Sequence, residues 1–326
     1  MIQTPPEWAK HQAMWTAWPS HPDEWPGVID SVRAEVAALV RALGQHEPVK
    51  LLALKGESQD SAQAALAGEN VEIIPALYGD IWLRDTGPIF ARDADGPVAL
   101  VFRFNGWGGK YDLPHDDEVA AFVARRCGVR AVVQDFVLEG GSLDFDGAGR
   151  VLTTKQCLLN ANRNPGLSQS DIEARLRKAF GIDRVIWLDQ GLLNDHTDGH
   201  VDNIARFVAP GRVVCAAPSG NDDPNAATLD AIARDLEKHG LDVVRIPGPG
   251  KIVNEDGTPV PASHMNFIIG NGVVVVPAYE PIYSQAAVAA LAPLFPERNV
   301  IALPARNILS GGGSFHCITQ QEPGTD

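Results

Sequence analysis

Cysteine and positive charge are both scarce in this sequence. Four cysteines occur among 326 residues and none belongs to a C-x-x-C pair, which argues against a disulfide scaffold and against a thiolate metal cluster. Lys and Arg total 27 against 41 Asp and Glu, so the formal net charge is −14. A chain this acidic, without a run of Lys or Arg, repels nucleic acid and anionic membranes and attracts small cations. We therefore expect no nucleic-acid or membrane partner.

Long apolar runs and nucleotide-binding loops are missing as well. No apolar run approaches the roughly 18 residues of a membrane span, and the start MIQTPPEWAK has neither the basic nor the apolar region of a signal peptide. GxGxxG is absent, and the glycines of GGGS precede no predicted helix. The composition is otherwise that of a globular protein, with 45% hydrophobic and 21% charged residues. These features predict a cytoplasmic protein.

Helical stretches alternate with short strands at a regular interval. The first helical stretch, DSVRAEVAALVRALG, offers Asp30 or Ser31 as N-cap and Gly44 as its end. Five β-branched runs, about 55 to 58 residues apart, follow helical stretches and begin at Val71, Val129, Arg184, Asp242 and Asn299. With further strand candidates such as PVALVFRF and RVVCAAP, the spacing predicts a unit of strand, strand, helix and strand, repeated about five times. The alternative is a doubly wound α/β sheet; in either case we expect one compact α/β domain over residues 1–326.

Polar segments rich in glycine follow four of the five helix–strand units. They read YGDIWLRDTGP, VLEGGSLDFDG, DHTDGHVDN and SGGGSFHCITQQ. If the units are related by pseudo-symmetry, equivalent loops emerge at the same end of the fold. The sequence then predicts that segments far apart along the chain meet at one mouth.

The segment DHTDGHVDN alternates histidine and aspartate. A period of two predicts that His196, Asp198, His200 and Asp202 share one face of an extended strand. Three interpretations stay open from the residues alone. They are a metal site, an acid–base histidine beside a substrate-binding carboxylate, and a solvated turn.

Cys317 differs from the other cysteines because His316 and three glycines flank it. A thiolate stabilised by a histidine or by a cationic substrate is a nucleophile, and glycines such as Gly313 let the backbone approach a ligand closely. The alternative is a small buried hydrophobic residue. We prefer that alternative for the three cysteines in apolar or helical contexts, Cys127, Cys157 and Cys215.

Two carboxylates and an aromatic residue complete the candidates. Glu139 either orients a histidine or is an exposed carboxylate at a strand end. Asp85 either pairs with Arg84 or binds a cationic ligand, and Trp107 is either an aromatic wall or part of a packed turn. Several carboxylates beside a thiol suit a planar, delocalised cation, and guanidinium is such a cation.

The motifs, taken in order, resemble those of the agmatine deiminases in the guanidino-group-modifying superfamily. The resemblance runs nearly end to end through PPEWAKHQAMWTAWP, DIWLRDTGP, FNGWGGKY, VLEGGS, TTKQCLLNANRNP, DGHVDN, NFIIGNGVVVVP and GGGSFHCITQQ. It implies a five-bladed, pseudo-symmetric α/β propeller of ββαβ repeats, the pentein-like fold. It also implies hydrolysis of agmatine, a small cationic guanidine, to N-carbamoylputrescine and ammonia, with no metal or organic cofactor.

The resemblance also implies a role for each matching residue. Cys317 would be the nucleophile, His200 the general acid and then the general base, and Glu139 the group that orients His200. Asp85 and Asp202 would clamp the guanidinium, and Trp107 and Gly313 would border it. His196 replaces a glutamate that many relatives carry, which we interpret as a variant at the edge of the site.

Three other functions remain as alternatives. The same chemistry on arginine or peptidyl-arginine keeps the fold and changes the substrate. Metal-dependent hydrolysis through His196, Asp198 and His200 changes the chemistry, and a non-catalytic binding propeller removes it. The number of copies in the assembly is left open.

Overall fold

The computed structural model describes residues 2–220, 222–254 and 256–324, and strands and helices alternate along them. The strands are β1 His11–Ala17, β2 Val49–Ala53, β3 Val71–Pro75, β4 Ile89–Asp93, β5 Gly96–Arg103, β6 Arg130–Val137, β7 Asp144–Phe145, β8 Arg150–Thr154, β9 Arg184–Leu188, β10 Ala205–Ala209, β11 Arg212–Ala216, β12 Asp242–Ile246, β13 Ile268–Ile269, β14 Val273–Ala278, β15 Asn299–Pro304 and β16 Gln320–Pro323. The helices are α1 Ile29–Gly44, α2 Glu57–Ala65, α3 Leu83–Thr86, α4 Gly106–Gly109, α5 Val119–Cys127, α6 Lys155–Leu158, α7 Gln169–Phe180, α8 Ala226–Lys238, α9 Pro281–Leu291 and α10 Arg306–Leu309.

Four of the sheets share one design. Each has three strands, with the first antiparallel to the second and the second parallel to the third: β4-β5-β6, β7-β8-β9, β10-β11-β12 and β13-β14-β15. A helix joins the two parallel strands in every case, because a parallel connection needs a crossover. These four sheets confirm the predicted unit of strand, strand, helix and strand.

The remaining sheet joins the two ends of the described chain. Its order is β16-β1-β2-β3, with β16 antiparallel to β1 and the other neighbours parallel. The predicted unit is wrong here, because α1 lies between β1 and β2 and makes that pair parallel. β16 supplies the antiparallel strand from the far end of the sequence. The five sheets are the blades of the α/β propeller that the resemblance implies.

Local sequence explains where the helices begin and end. At α7 the Ser168 hydroxyl accepts from the Asp171 backbone N–H, the Asp171 carboxylate accepts in return, and Gly181 ends the helix in a left-handed conformation. The expected cap of α1 at Asp30 or Ser31 is wrong, since the helix begins at Ile29 without a side-chain cap. Burial of its apolar face against the sheets holds this helix instead of a cap.

The core lies between the helices and the sheets. Met14, Trp15, Leu39 and Leu43 of the first blade are fully buried, and the other blades bury valine and isoleucine in the same way. Within the described ranges, no helix is both long and apolar enough to cross a membrane. The rigid blades leave the loops at their strand ends to form a site.

We predict that Gly181→Ala destabilises the fold more than Gly128→Ala does. Gly181 ends its helix at a φ of 66° and Gly128 at a φ of 69°, so alanine at either position adopts a strained conformation that costs about 1 kcal/mol. A Cβ on Gly181 would also lie 1.7 Å from the Ile2 carbonyl oxygen, whereas a Cβ on Gly128 meets nothing within 4 Å. Urea unfolding should show an extra loss of about 1–3 kcal/mol for Gly181→Ala. Equal losses would contradict the packing argument.

Candidate active site

The predicted loops meet beside one cavity, which Asp85 and Cys317 line and which Glu139, His200 and Asp202 do not. Asp85 lies in α3, after β3, and Glu139 follows β6. His200 and Asp202 follow β9, and Cys317 precedes β16. All five side chains are buried, with exposed fractions of 5% or less. Four segments that are far apart in the sequence therefore lie at the same end of the propeller, as the repeat spacing predicts.

Cys317 is surrounded by groups that disfavour its thiolate. Its Sγ accepts a hydrogen bond from Asn266 Nδ2 at 3.1 Å and lies 3.7 Å from Asp202 Oδ2. Burial, together with the negative charges of Asp202 and Asp85, raises the pKa of the thiol well above its usual value. Without a cation in the cavity, Cys317 is therefore a thiol.

Asp85 is held by two donors and not by Arg84. Its Oδ2 accepts from Trp107 Nε1 at 2.9 Å, and its Oδ1 accepts from the Gly141 backbone N–H at 2.9 Å. The Arg84 guanidinium instead donates to Gln321 at 2.8 Å. Of the two interpretations of Asp85, the structure excludes the simple pair with Arg84. Trp107 is both a cavity wall and the donor that orients Asp85.

Asp202 uses one oxygen and leaves the other unused. Its Oδ2 lies 2.7 Å from His316 Nδ1, while Oδ1 is buried and has no hydrogen-bond partner among the described residues. Burial raises the pKa of Asp202, but the hydrogen bond to His316 and the charges of His316, His200 and Arg206 together hold the pKa below its usual value. The residue thus presents an ionised oxygen with an open coordination position.

His200 lies between two carboxylates without a close hydrogen bond to either. Its Nδ1 is 3.7 Å from Asp85 Oδ2, and its Nε2 is 3.9 Å from Glu139 Oε2. Burial lowers the pKa of His200, but Asp85, the Cys157 thiol and Glu139 raise it well above its usual value. The ring is therefore an imidazolium at neutral pH, with a proton available for transfer.

Glu139 is held in place by an ion pair with Arg163. Arg163 Nε donates to Glu139 Oε1 at 2.6 Å, and both side chains are fully buried. Burial raises the pKa of Glu139, and Arg163 and His200 oppose that effect without cancelling it. The interpretation of Glu139 as an exposed carboxylate is therefore wrong, and its free oxygen faces His200.

The strand predicted through DHTDGHVDN does not form. Asn194, Asp198 and Gly199 have φ values of 61°, 64° and 83°, so the chain turns through the left-handed region instead of extending. His196 consequently lies exposed at the mouth, where its Nδ1 is 2.7 Å from Tyr111 Oη. His200 points into the interior. The segment is a turn with one side chain at the mouth and another in the site.

The predicted metal set of His196, Asp198 and His200 is therefore not assembled. Asp198 instead pairs with Lys110 at 2.6 Å and with Arg163 at 2.9 Å. Among the described residues, one other trio offers ligand atoms within 4.8 Å of one another, namely Glu139, Cys157 and His200. The Arg163 guanidinium on Glu139 opposes a cation at that place. Cys157 is buried as expected, but it also contacts the candidate acid.

The cavity has a volume of about 190 Å³ and an acidic wall. Its described lining residues are Glu24, Asp80, Trp82, Asp85, Trp107, Tyr111, Leu113, His196, Thr197, Ser310, Gly311, Gly312, Gly313 and Cys317. They include three carboxylates and no Lys or Arg. A Cβ on Gly313 would lie 2.6 Å from the Trp82 ring and 3.1 Å from Cys317 Sγ, so a side chain there would fill the floor. These features fit a small cation.

Sequence reasoning missed several residues of the site. Asn266 contacts the thiol, and Arg163 holds Glu139. A Cβ on Gly141 would lie 2.6 Å from His200 Nδ1, so the second glycine of LEGG makes room for the imidazole. The signal for Asn266 was the motif NFIIGNG, which follows β12 and completes the five loops. Neutral amides and glycines carry no charge pattern that singles them out.

Comparisons with known proteins agree with this geometry. The profile of the Porphyromonas-type peptidyl-arginine deiminase family matches residues 3–323. The chain belongs to this family. An agmatine deiminase of Stutzerimonas stutzeri is 41% identical to it over 98% of this chain and 95% of that protein.

Solved structures extend the likeness to the whole fold. The agmatine deiminase of Enterococcus faecalis superimposes with a TM-score of 0.93 at 30% identity, covering 100% of this chain and 96% of that one. The agmatine deiminase of C. jejuni with substrate bound gives 0.94 at 29% identity, covering 100% and 97%. Family members of this likeness share the five-bladed fold described above.

We predict that Cys317 of the ligand-free protein reacts slowly with iodoacetamide at neutral pH. The thiolate is the nucleophile, and burial, Asp202 and Asp85 raise the pKa of this thiol, so the rate should climb above pH 9. Asp202→Asn removes one negative charge and should speed the reaction at pH 8 about tenfold. Mass spectrometry of the Cys317 peptide measures the rate. Cys215, whose raised pKa owes nothing to Asp202, is the internal control.

A wild-type rate that levels off below pH 8 would contradict the raised pKa. A slower reaction in Asp202→Asn would contradict the assigned cause.

Proposed function

We propose that this protein is an agmatine deiminase, which hydrolyses the guanidinium of agmatine to N-carbamoylputrescine and ammonia. The observation that carries the proposal is an acid-walled cavity that ends at the buried Cys317 thiol, with Asp85 acting on both this thiol and the protonated His200. The similarity to agmatine deiminases over nearly the full chain supports the same conclusion. The described chain would act as one catalytic unit, since every blade contributes a loop to the site.

The carboxylates fit the two sides of a planar cation. Asp202 Oδ1 has no other described partner, and Asp85 is oriented by Trp107 and Gly141. A guanidinium donates paired hydrogen bonds to such oxygens. Its charge would also offset the fields that keep Cys317 protonated, so substrate binding would promote ionisation of the nucleophile. Trp107 and Gly313 would form the wall and floor.

The reaction then proceeds in two stages. The Cys317 thiolate attacks the guanidinium carbon and gives a tetrahedral centre. The imidazolium of His200 protonates the departing amino group, ammonia leaves, and an amidino-thioether remains on Cys317. Neutral His200 then takes a proton from water, and the hydroxide adds to the same carbon. Collapse expels the thiolate, the hydroxyl of the tetrahedral centre loses its proton to solvent, and the ureido product leaves. In solution that proton converts the released ammonia to ammonium. The thiol proton that Cys317 gives to solvent when substrate binds returns to it when the product leaves.

The mouth favours agmatine over arginine. Arginine carries a carboxylate where agmatine carries only hydrogen, and the described lining includes Glu24, Asp80 and Asp85 but no Lys or Arg. Both oxygens of Asp80 already accept from indole N–H groups, at 3.0 Å from Trp25 and 2.8 Å from Trp82. Glu24 is thus the exposed carboxylate that would face the substrate's far ammonium. Repulsion between the Glu24 carboxylate and the carboxylate of arginine would weaken the binding of arginine.

Several expectations about setting remain predictions. We propose a cytoplasmic enzyme with a small cationic guanidine as its substrate and with neither nucleic acid nor membrane as a partner. The sparse cysteines and the net charge of −14 support this setting. Assembly of several copies stays open.

We predict that ammonia release is at least about 10²-fold more efficient, in kcat/KM, from agmatine than from arginine or a peptidyl-arginine. Cys317→Ser should lower kcat at least about 10³-fold, because a hydroxyl does not ionise here. Cys127→Ser, a half-buried thiol outside the site, is the matched control and should stay active.

Three results would point elsewhere. A preference for arginine would assign the same chemistry to another guanidine. Activity that EDTA abolishes and that survives Cys317→Ala would favour a metal mechanism. No ammonia from any guanidine would leave a binding protein.

We predict that Glu139→Gln and Asp85→Asn affect different kinetic constants. Glu139 faces His200 and not the cavity, so its amide variant should lower kcat about 10²-fold and leave KM within a few-fold. Asp85 lines the cavity, so its variant should damage both constants by removing a charge-assisted bond. Steady-state kinetics with agmatine measures both. An unchanged kcat in Glu139→Gln would remove this residue from the scheme.

A further inference from the structure

A second buried histidine, His316, bridges two carboxylates behind the cavity. Its Nδ1 lies 2.7 Å from Asp202 Oδ2, and its Nε2 lies 2.9 Å from Glu7 Oε2. An ionised carboxylate only accepts hydrogen bonds, so both ring nitrogens must donate. A ring that donates from both nitrogens is an imidazolium. Geometry alone therefore gives His316 a positive charge whenever both carboxylates are ionised.

Glu7 is surrounded by donors that keep it ionised. Its Oε1 accepts from the Ile269 backbone N–H at 2.8 Å, and its Oε2 pairs with Arg206 and lies 3.9 Å from Arg84. Burial raises the pKa of Glu7, but Arg206, His316 and Arg84 together hold it well below its usual value. With Glu7 ionised, one side of the His316 bridge is fixed as an acceptor.

Charge balance supports the same assignment. The buried cluster behind the cavity consists of Glu7, Arg84, Asp144, Asp202, Arg206 and His316. Arg206 pairs with Asp144 at 2.5 Å as well as with Glu7. Burial raises the pKa of Asp144, while its pairing with Arg206 opposes that effect. With all three carboxylates ionised against two guanidinium groups, the cluster is neutral when His316 is protonated. An unbalanced buried charge would be costly.

His316 is also tied rigidly to the nucleophile. Its backbone N–H and that of Cys317 both donate to Asn266 Oδ1, at 3.0 and 3.2 Å. The same Asn266 side chain donates to Cys317 Sγ. The position of the imidazolium and the position of the thiol are therefore set by one amide.

We propose that His316 is a positively charged positioning residue, which occupies Asp202 Oδ2 and so leaves Oδ1 for the guanidinium of the substrate. This inference rests on the proposed function. His316 does not exchange protons during the reaction, because Asp202 and Glu7 occupy its two nitrogens. Its charge keeps Asp202 anionic even in the buried, acid-rich site.

The pH dependence follows from the groups around this bridge. Those facing His316 and Asp202 are Glu7, Arg84, Arg206, Cys317, His200 and Asp85. His316 lowers the pKa of Asp202, and ionised Asp202 binds the substrate, so activity is kept above that pKa and lost as the pH falls through it. Removing the charge must raise the pKa and move the acid limb of kcat/KM to higher pH.

Two substitutions separate charge from hydrogen bonding. In His316→Asn the amide nitrogen takes the place of Nδ1 and keeps the bond to Asp202, while in His316→Gln it reaches the place of Nε2 and keeps the bond to Glu7. We expect both to move the acid limb upward by about one pH unit or more, which is a tenfold loss at the acid end. At high pH, His316→Asn should retain a larger share of the wild-type activity than His316→Gln, because it keeps the bond to Asp202. A loss that is the same at every pH would overturn the proposal.

A measurement on the wild-type protein is independent of turnover and of variant folding. The imidazole ¹⁵N resonances of His316, assigned through its own backbone, should report both nitrogens protonated at the pH of the activity assay. A neutral ring at that pH would overturn the proposal. Wild-type protein without activity on agmatine, but with a charged His316, would reject the proposed function and keep the assigned charge. Active wild-type protein with a neutral His316 would keep the proposed function and reject the assigned charge.

Discussion

The site depends on two carboxylates that are buried close to the nucleophilic sulfur. Asp85 and Asp202 lie close to Cys317, and together with burial they keep its sulfur protonated in the absence of a ligand. Burying carboxylates in this way is unfavourable unless a cation compensates them. A bound guanidinium adds a positive charge next to these carboxylates and favours ionisation of the thiol in the same event. Binding and activation of the nucleophile are thus one electrostatic step.

The propeller tolerates such a site because the packing of its rigid blades offsets the repulsion between like charges. Each carboxylate is oriented by donors from another segment: Trp107 and Gly141 hold Asp85, and Arg163 holds Glu139. Strands in five separate sheets fix the ends of the loops, so the loops need little secondary structure of their own. The closing sheet, which pairs β16 with β1, sets the position of the Cys317 segment in particular.

Much of this arrangement was predictable from the sequence, for physical reasons that also mark the limits. The polar loops offered Cys317, His200 and Glu139 as candidates, because polar residues at strand ends stand out against apolar strands, and the resemblance to a known family implied their roles. The extended conformation expected around Asp198 was wrong, since alternation of polar residues does not reveal a left-handed backbone. Asn266 was missed because a neutral amide in an apolar strand motif carries no such contrast. The extra helix α1 broke the repeat where the two ends of the described chain pair.

The two buried histidines show how contacts, more than residue type, decide function. His200 has no hydrogen-bond partner for either ring nitrogen among the described residues, although three groups raise its pKa. Because no hydrogen bond fixes the proton of His200, the ring can transfer it to a leaving group that approaches. His316 is held by direct bonds on both sides, so releasing its proton would break a bond and unbalance the cluster. The same side chain therefore serves as a proton donor in one place and as a fixed charge in the other.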